Sequence, residues 1–384
     1  MKSYNHLFEK AISDEIMNAA LTCAAEGKYK RPEVQYILKN RIKYRKELRQ
    51  RLIDGALVPL VHNATIRKDG YRNKKRIIVK PYFNRDEPEQ WIHHIVIQTI
   101  KDILLKGMYD YSCGSIPGRG IHYGKRYLEK FIRNNPKELK YVLKIDIHHF
   151  YESVNIEILK ERFRKIIHDE RMLDLIFYIL DSNEYILEGK HYKKGLVIGF
   201  YPSQWFANFY LQQFDHYVKE VLKIKCYVRY MDDIVIFGKN KRELHRQLEV
   251  IKEKLAELDL ELKSNYQIFK FDYVDKNGKR HGRFIDFMGF KFYRDKTTIR
   301  KGVFSRAVRT ARKISRKDKP TWYDAARIFS YVGWFKHTDT YKAFQKYVVA
   351  NVNFKVLRKV MSNYSKRRAN GRKLEKGREP CKTG

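Results

Sequence analysis

The feature that most restricts how this chain can fold is a pair of adjacent acids inside an apolar run. The run reads Cys226-Tyr-Val-Arg-Tyr-Met-Asp-Asp-Ile-Val-Ile-Phe-Gly238. The residues before the acids alternate with the period of two that is typical of a β-strand, and the residues after them are all apolar. This pattern predicts two short strands joined by a tight Asp232-Asp233 turn. A solvated turn also favours Asp, but these flanks are typical of a buried core. Because a buried carboxylate is costly unless a positive charge offsets it, the pair predicts a bound divalent metal.

A third acid has a similar setting upstream. The run Tyr141-Val-Leu-Lys-Ile-Asp-Ile-His-His-Phe-Tyr151 places Asp146 at the end of a β-type apolar segment, before a turn and two aromatic residues. Two strands that each end in acids can hold two Mg²⁺ ions for in-line nucleotidyl transfer, with Mn²⁺ as an alternative. Oxygen ligands suit Mg²⁺, and no Cys or His cluster has the spacing of a zinc site.

Taken in order, these motifs resemble the palm domain of reverse transcriptases. Tyr230-Met-Asp-Asp233 follows Asp146 and Tyr151, the segment Gly195–Leu211 lies between the two acid motifs, and Phe287-Met-Gly-Phe290 comes after them. The resemblance covers roughly residues 56 to 345. It implies an α+β right-hand polymerase with fingers, a palm built on an antiparallel sheet, and a helical thumb.

The resemblance also implies roles for individual residues. The catalytic acids are Asp146, Asp232 and Asp233, and the same acids together with Ile147 bind the metals. Nucleotide contacts are assigned to Arg76, Lys80, His148, His149, Phe150, Tyr151, Ile198, Gly199, Ser203 and Gln204. The primer grip is Phe287, Met288, Gly289 and Phe290.

Several of these roles have a physical basis and a plainer alternative. Tyr151 lies where the family uses an aromatic ring to exclude a ribose 2′-hydroxyl by clash, although it could simply pack beside Phe150. Arg76 suits phosphate through its forked donors, although a solvated charge run is the alternative. His148 is expected to be incidental as an imidazole, in a turn whose backbone amides face the triphosphate. Lys263 is a candidate general acid toward pyrophosphate.

The overall charge predicts a polyanionic partner. The formal net charge is +37, far more than solubility requires, so binding should weaken as salt increases. The partners implied are template RNA, an RNA/DNA duplex and deoxynucleoside triphosphates. Four scattered cysteines predict free thiols. The N-terminus has no apolar signal core, and no run approaches the ~18 residues of a membrane span, so we expect no membrane contact and a cytoplasmic location.

Composition and periodicity divide the chain into four parts. Residues 1–55 form a basic helical extension, 56–295 the fingers and palm, 296–370 a basic helical thumb, and 371–384 a disordered basic tail. From Arg300 onward there are 24 Lys or Arg against 5 Asp or Glu. Helices are predicted near 87–105, 121–136, 156–181, 205–218 and 242–258, and hairpins near 56–81 and 186–192.

One departure indicates a subgroup. Relatives of the group II intron type carry Pro-Gln-Gly after the first acid motif, whereas this chain has Ile198-Gly-Phe-Tyr-Pro-Ser-Gln204. That pattern, and the run Phe329–Asp339, resemble prokaryotic reverse transcriptases of diversity-generating retroelements. In that family the apolar residue at position 198 is linked to errors at template adenines. The resemblance implies a structured noncoding RNA and a small basic accessory protein as partners, and an oligomer is compatible with it.

Other readings stay open. Retron and antiphage defence-associated reverse transcriptases have related architectures, so a defence polymerase that makes specialised DNA is the first alternative. A non-catalytic, maturase-like RNA-binding protein is the second, although retention of all three acids argues against it. An RNA-directed RNA polymerase is disfavoured by Tyr151 and Met231.

Overall fold

The computed structural model describes residues 4–69, 74–135 and 138–376. The chain divides into two compact units, Met1–Phe269 and Lys270–Gly384. The helices of the first unit are α1 (Leu7–Ala11), α2 (Asp14–Ala25), α3 (Pro32–Lys39), α4 (Arg41–Ile53), α5 (Glu89–Lys106), α6 (Ile121–Asn134), α7 (Phe150–Ser153), α8 (Ile156–Arg164), α9 (Glu170–Asp181), α10 (Tyr201–His216) and α11 (Lys241–Ala256). Its strands are β1 (His62–Asp69), β2 (Lys74–Val79), β3 (Tyr141–Asp146), β4 (Glu184–Leu187), β5 (Lys190–Lys193), β6 (Tyr227–Tyr230), β7 (Asp233–Gly238) and β8 (Gln267–Lys270).

The sheet that carries the acids has the strand order β6-β7-β3-β8. β7 pairs antiparallel with both β6 and β3. Its middle residues, 234–237, are buried on both faces, as a continuous apolar run predicts for a central strand. Helix α11 packs on this sheet through one apolar stripe, Leu244, Leu248, Ile251 and Leu255, at helical spacing.

Helix α5 forms the centre of the first unit. Residues Trp91 to Ile97 are buried without interruption, because α2 and α10 pack on different sides of the helix. The indole N–H of Trp91 donates to the Met17 carbonyl at 2.8 Å, so the most buried indole keeps its hydrogen bond. The prediction of a long helix near residues 87–105 is confirmed.

A second sheet, in the order β2-β1-β4-β5, carries the predicted hairpin of the fingers. β1 and β2 pair antiparallel from Ala64–Val79 to Asp69–Lys74, whereas β1 pairs parallel with β4. The hairpin near 186–192 is confirmed as β4 and β5. The turn residues 70–73 lie outside the described part of the chain.

The predicted helix over residues 156–181 is wrong in one respect, since two helices, α8 and α9, replace it. The carboxylate of Asp169 starts α9 by accepting the Met172 N–H, and it also accepts the N–H groups of Leu7 and Phe8. An Asp that satisfies such first-turn donors favours a new helix start over continuation of the old one.

The second unit holds five short strands and four helices among its described residues. They are β9 (Tyr273–Val274), β10 (Arg280–His281), β11 (Ile285–Phe287), β12 (Phe290–Phe292), β13 (Thr297–Ile299), α12 (Lys301–Ser315), α13 (Trp322–Lys336), α14 (Tyr341–Tyr347) and α15 (Phe354–Lys376). Helix α15 continues past residue 371, where the disordered tail is predicted to begin, and residues 377–384 lie outside the description. In the described ranges, no helix combines the length and the apolar character needed to cross a bilayer.

These elements confirm the predicted α+β class, with an antiparallel sheet under the acid motifs and a helical C-terminal part. The two-unit division falls between Phe269 and Lys270. The finer domain boundaries at 55, 295 and 370 stay predictions.

Candidate active site

The acid hairpin has its turn one residue earlier than predicted. Tyr230 pairs with Asp233, so the two turn residues are Met231 and Asp232, and Asp233 is the first residue of β7. Met231 adopts a left-handed conformation with φ of 56°, which tight two-residue hairpins require. This geometry separates the two acids, because one lies in the turn and the other begins a strand.

The structure brings the three acids together. Asp146 at the end of β3 is paired with Asp233 at the start of β7. The N–H of Ile147 donates to the Asp232 carbonyl at 3.1 Å, so the neighbouring Asp146–Asp233 pair is non-hydrogen-bonded. Opposed residues in such a pair have Cα atoms about 4.5 Å apart and side chains on the same face. Acids that are distant in sequence therefore share one end of one sheet.

Two lysines provide positive charge at this cluster. The ammonium of Lys263 contacts Oδ1 of Asp146, and the Lys263 N–H donates to the Asp146 carbonyl at 2.9 Å. The ammonium of Lys144 lies 3.5 Å from Oδ1 of Asp233. Burial raises the pKa of Asp233 to about 7, Lys144 opposes the shift, and Asp146 and Asp232 add to it. The charged form of the Asp233 carboxyl is therefore disfavoured in this buried setting despite the lysine beside it.

This chemistry fits divalent metal ions held by carboxylate oxygens. Within the described ranges, no three His, Cys, Asp or Glu side chains already converge as a ligand set. The raised pKa of Asp233 reflects its burial first and the neighbouring Asp146 and Asp232 second, and a bound cation would favour the charged carboxylate against both effects. Two backbone hydrogen bonds join the end of β3 to the 261–263 segment. They involve the Asp146 carbonyl and the His148 N–H, so the Ile147 carbonyl takes no part in them.

Tyr151 lies beside the acids. Burial raises the pKa of its hydroxyl, Asp232 raises it further, and Arg76 opposes the rise. The tyrosine is therefore near both the acid hairpin and strand β2. Arg76 is half-buried and faces Arg67 across the β1–β2 ladder.

The loop before α10, residues 195–200, is hydrogen-bonded both to Tyr151 and to the end of β2. The Leu196 N–H donates to the Tyr151 carbonyl at 2.7 Å, and the Val79 N–H at the end of β2 donates to the Ile198 carbonyl at 2.9 Å. Gly199 has a φ of +126°, and a Cβ there would lie 1.9 Å from the Val79 carbonyl oxygen. Only glycine fits so close an approach between backbones. Ile198 is half-buried where the loop meets β2.

Three other residues that are predicted to contact the nucleotide are engaged or buried within the protein. The Ser203 hydroxyl is buried and donates to the Val197 carbonyl at 2.7 Å, so it closes the loop, and its contact with a nucleotide stays a prediction. The His148 N–H donates to the Glu261 carbonyl at 2.7 Å, so this amide is engaged by the backbone, and the nucleotide contact of His148 stays a prediction. The Phe150 ring lies in the core, which leaves only its backbone for such a contact.

The remaining members of the predicted set are accessible. The side chains at positions 80, 149 and 204 are exposed, and Gly199 is exposed as well. The rings of His148 and His149 contact each other edge to face, with centroids 4.2 Å apart. The roles of these residues stay predictions.

The sequence did not reveal a buried ion pair beneath the hairpin. Arg229, fully buried in β6, makes a forked contact with Asp215 of α10: Nε donates to Oδ1 at 2.7 Å and Nη2 to Oδ2 at 2.5 Å. Nη1 donates to the carbonyl of the turn residue Met231 at 3.1 Å and to Asn208 at 3.2 Å. The available signal was Asp215, the one acid in the aromatic-rich helix α10.

The predicted primer-grip motif forms a hairpin in the second unit. Phe287 pairs with Phe290, and Met288 and Gly289 are the turn residues, with φ of 50° and 86°. A Cβ at Gly289 would lie 2.6 Å from the Trp334 ring. The turn therefore packs on α13, the helix that contains most of the run 329–339.

The chain is similar to several solved structures at low sequence identity. No curated protein matches the sequence. Among solved structures, the telomerase of Candida tropicalis truncated from its C-terminal domain is 14% identical, with a TM-score of 0.43, over 62% of this chain and 55% of that one. The same telomerase in complex with a fragment of telomeric RNA is 14% identical, with a TM-score of 0.46, over 78% of this chain and 58% of that one. The corresponding Candida albicans complex is 10% identical, with a TM-score of 0.47, over 79% of this chain and 61% of that one. The chain thus spans 55 to 61% of the length of these proteins.

A family match covers more than half of the chain. Residues 73–292 match the reverse transcriptase (RNA-dependent DNA polymerase) family, and this range includes all three acids, the 195–204 loop and the 287–290 turn. The chain belongs to the reverse transcriptase family.

Proposed function

We propose that this protein is an active RNA-directed DNA polymerase whose catalytic centre is the cluster of Asp146, Asp232 and Asp233. The observation that carries the proposal is the pairing of Asp146 with Asp233 at the end of the sheet where the turn residue Asp232 lies. Mg²⁺ held by these carboxylates would activate the primer 3′-hydroxyl and neutralise the triphosphate. A site retained only for RNA binding has no need of this arrangement.

The surrounding side chains have distinct tasks in this proposal. The Tyr151 ring excludes a ribose 2′-hydroxyl by clash, and the Arg76 guanidinium binds the triphosphate through its forked donors. The Lys263 ammonium contacts Asp146 and gives a proton to the departing pyrophosphate. The net charge of +37 supports a template RNA and an RNA/DNA duplex as partners. Cytoplasmic location is also a proposal.

Primer extension tests the assignment. Wild type and Asp232→Asn are compared on an RNA template with a DNA primer, deoxynucleotides and Mg²⁺. We expect Asp232→Asn to lose extension by a factor of about 10²–10³, as expected when one charge-stabilising catalytic group is removed. Asp174→Asn, on the exposed face of α9, is the matched control and should extend like wild type. Equal extension by Asp232→Asn would remove the acid cluster as the centre, and RNA binding without any extension would favour the non-catalytic alternative.

We further propose that the enzyme belongs to the group that resembles diversity-generating retroelement polymerases and copies adenines inaccurately. This is supported by Ile198, a half-buried apolar residue held by its backbone bond to Val79. An apolar side chain beside the nascent pair supplies no hydrogen bond with which to reject a mispair.

Sequenced products of a template that contains adenines test this finer proposal. Ile198→Gln should lower the misincorporation rate at adenine, whereas Ile198→Leu, which keeps the apolar character, should leave it unchanged. An unchanged error spectrum in Ile198→Gln would refute the link. Accurate wild-type synthesis would instead favour a defence-associated polymerase.

A further inference from the structure

A cavity of about 450 Å³ lies in the first unit, away from the acid cluster. Its walls come from the ends of α5 and α8 and from the C-terminal half of α10. Along α10, the wall residues from Phe209 to His216 are 6 to 13 residues from Ser203, which corresponds to about 9 to 20 Å at the helical rise. The volume is within the range of small-molecule sites.

The cavity wall contains a buried cation with no acidic partner. Arg162 is only 8% exposed, and in the described part of the chain no carboxylate forms an ion pair with it. Its Nη1 donates to the Tyr210 carbonyl, and its guanidinium lies 5.2 Å from the Tyr210 ring centroid. Both contacts leave most of the five N–H donors available. Burying a guanidinium without an acid is costly, which indicates that an anion completes the site.

A hydrogen-bonded histidine and two lysines complete the polar part of the wall. His216 uses both ring nitrogens, with Nδ1 2.7 Å from Glu220 and Nε2 2.9 Å from the Gly107 carbonyl. Burial opposes the charged ring, but these two bonds outweigh it and raise the pKa of His216. Lys106 and Lys165 are exposed at the rim, and the described residues that line the cavity include no Asp or Glu.

The rest of the wall suits an organic body attached to the anion. Phe209 and Ile166 provide an apolar surface, and Gln212 provides an amide next to it. Gln212 Nε2 donates to the Leu104 carbonyl at 3.3 Å, so its amide is held in place with a carbonyl oxygen that can accept from a ligand. A phosphate group alone would use the cations and leave this wall uncovered.

We propose that this cavity binds a nucleoside monophosphate, with the phosphate on Arg162, Lys165 and Lys106 and the base against Phe209 and Gln212. The site is separate from the site for the incoming deoxynucleotide. A nucleotide combines a dianionic group, for which the Arg fork is suited, with a flat apolar body that carries hydrogen-bonding edges. The inference does not depend on polymerase activity.

Binding of adenosine 5′-monophosphate to the full-length protein tests the proposal. Calorimetry is carried out at about 0.15 M salt with EDTA, where non-specific attraction to a basic surface is screened and metal-dependent binding at the acid cluster is absent. We expect one site per chain, with adenosine and inorganic phosphate each binding at least about tenfold more weakly, since each makes only half of the contacts. Inorganic phosphate that binds as tightly as the nucleotide would overturn the nucleotide assignment.

Two variants locate the site. Lys165→Glu at the rim should weaken binding by about tenfold or more. Arg164→Glu, an equal charge reversal on the adjacent exposed residue of α8, lies outside the cavity wall and should change affinity less than about twofold. Equal losses in both variants would show attraction to the general basic surface and overturn the proposal.

A buried variant and a competitor complete the test. Arg162→Met should abolish binding without lowering Tm, because it removes a buried charge that has no acidic partner. If this variant is folded and still binds the nucleotide, the cavity is not the site. Retention of the nucleotide in the presence of excess RNA oligonucleotide supports the small-molecule site, whereas binding of RNA alone with the same dependence on Lys165 would overturn it.

Discussion

Replacement of Asp215 by Asn should destabilise the protein far more than loss of any surface acid. The Asp215 carboxylate accepts four hydrogen bonds: two from Arg229, one from the Tyr227 hydroxyl at 2.5 Å, and one from the Ser112 hydroxyl at 2.5 Å. Asp215 and Arg229 are both fully buried. Although burial opposes its charge, the carboxylate holds the pKa of Arg229 above the usual value.

The magnitude follows from this geometry. Asn keeps the shape of Asp but replaces one acceptor oxygen by an NH₂ group, which faces two donors, and it leaves the buried guanidinium without a counter-charge. Breaking a buried ion pair by removing one partner costs about 3–5 kcal/mol. The unfolding entropy is about 2.1 cal/mol/K per residue, so a loss of about 4 kcal/mol from the first unit lowers Tm by roughly 7 °C.

Thermal and urea unfolding of metal-free protein measure the effect. The matched control is Asp110→Asn, which removes the same charge from a pair with Arg119 that is 3.4 Å long and has a 67% exposed acid. Exposed pairs contribute about 0–1 kcal/mol, so the control should lose less than roughly 2 °C. The double variant Asp215→Asn with Arg229→Met should recover part of the loss, because it removes the uncompensated charge.

The result also bears on the hairpin. Arg229 donates to the Met231 carbonyl at 3.1 Å, so loosening of the ion pair should lower primer extension at temperatures where the variant remains folded. Equal Tm values for Asp215→Asn and Asp110→Asn would refute the reasoning. So would an additive double variant, because additivity would mean that the two side chains do not interact.

Three further outcomes are expected. Gly199→Ala should cost at least about 2 kcal/mol and reduce extension, since its Cβ would lie 1.9 Å from the Val79 oxygen, whereas Gly118→Ala, with a φ of +73° and open space around it, should cost only about 1 kcal/mol. The pKa of Asp233 is about 7 when folded, so in EDTA its contribution to stability is present below pH 4 and is lost as pH rises through 7. Asp233→Asn should therefore gain about 4 kcal/mol relative to wild type between pH 4 and 8, and an unchanged difference in Tm would contradict this. Tyr151→Val should incorporate ribonucleotides in a primer-extension assay, and unchanged sugar selectivity would remove the proposed clash.

Much of the local structure could be predicted from periodicity. The apolar run after the acids correctly indicated a central strand, β7, and the helices near 87–105 and 242–258 were recognised from their apolar spacing. Local patterns failed where a distant residue decided the outcome. The break between α8 and α9 is an example, because Asp169 caps α9 and at the same time binds the N–H groups of Leu7 and Phe8.

The candidate site likewise combines features that the sequence predicted with contacts that it did not predict. The three acids were recognisable because carboxylates flanked by apolar strands demand compensation. The buried position of the Ser203 hydroxyl and the engagement of the His148 amide could not be read from spacing, because both depend on which backbone carbonyl lies opposite.

The order and kinds of residues were enough to determine the α+β class, the positions of the acid motifs and the family of the chain. Only the tertiary structure decided that Asp146 lies opposite Asp233, that Asp215 neutralises Arg229, and that Arg162 enters a cavity without an acid. The physical reason is that strand register and helix packing set these contacts, and both depend on the whole core rather than on local sequence.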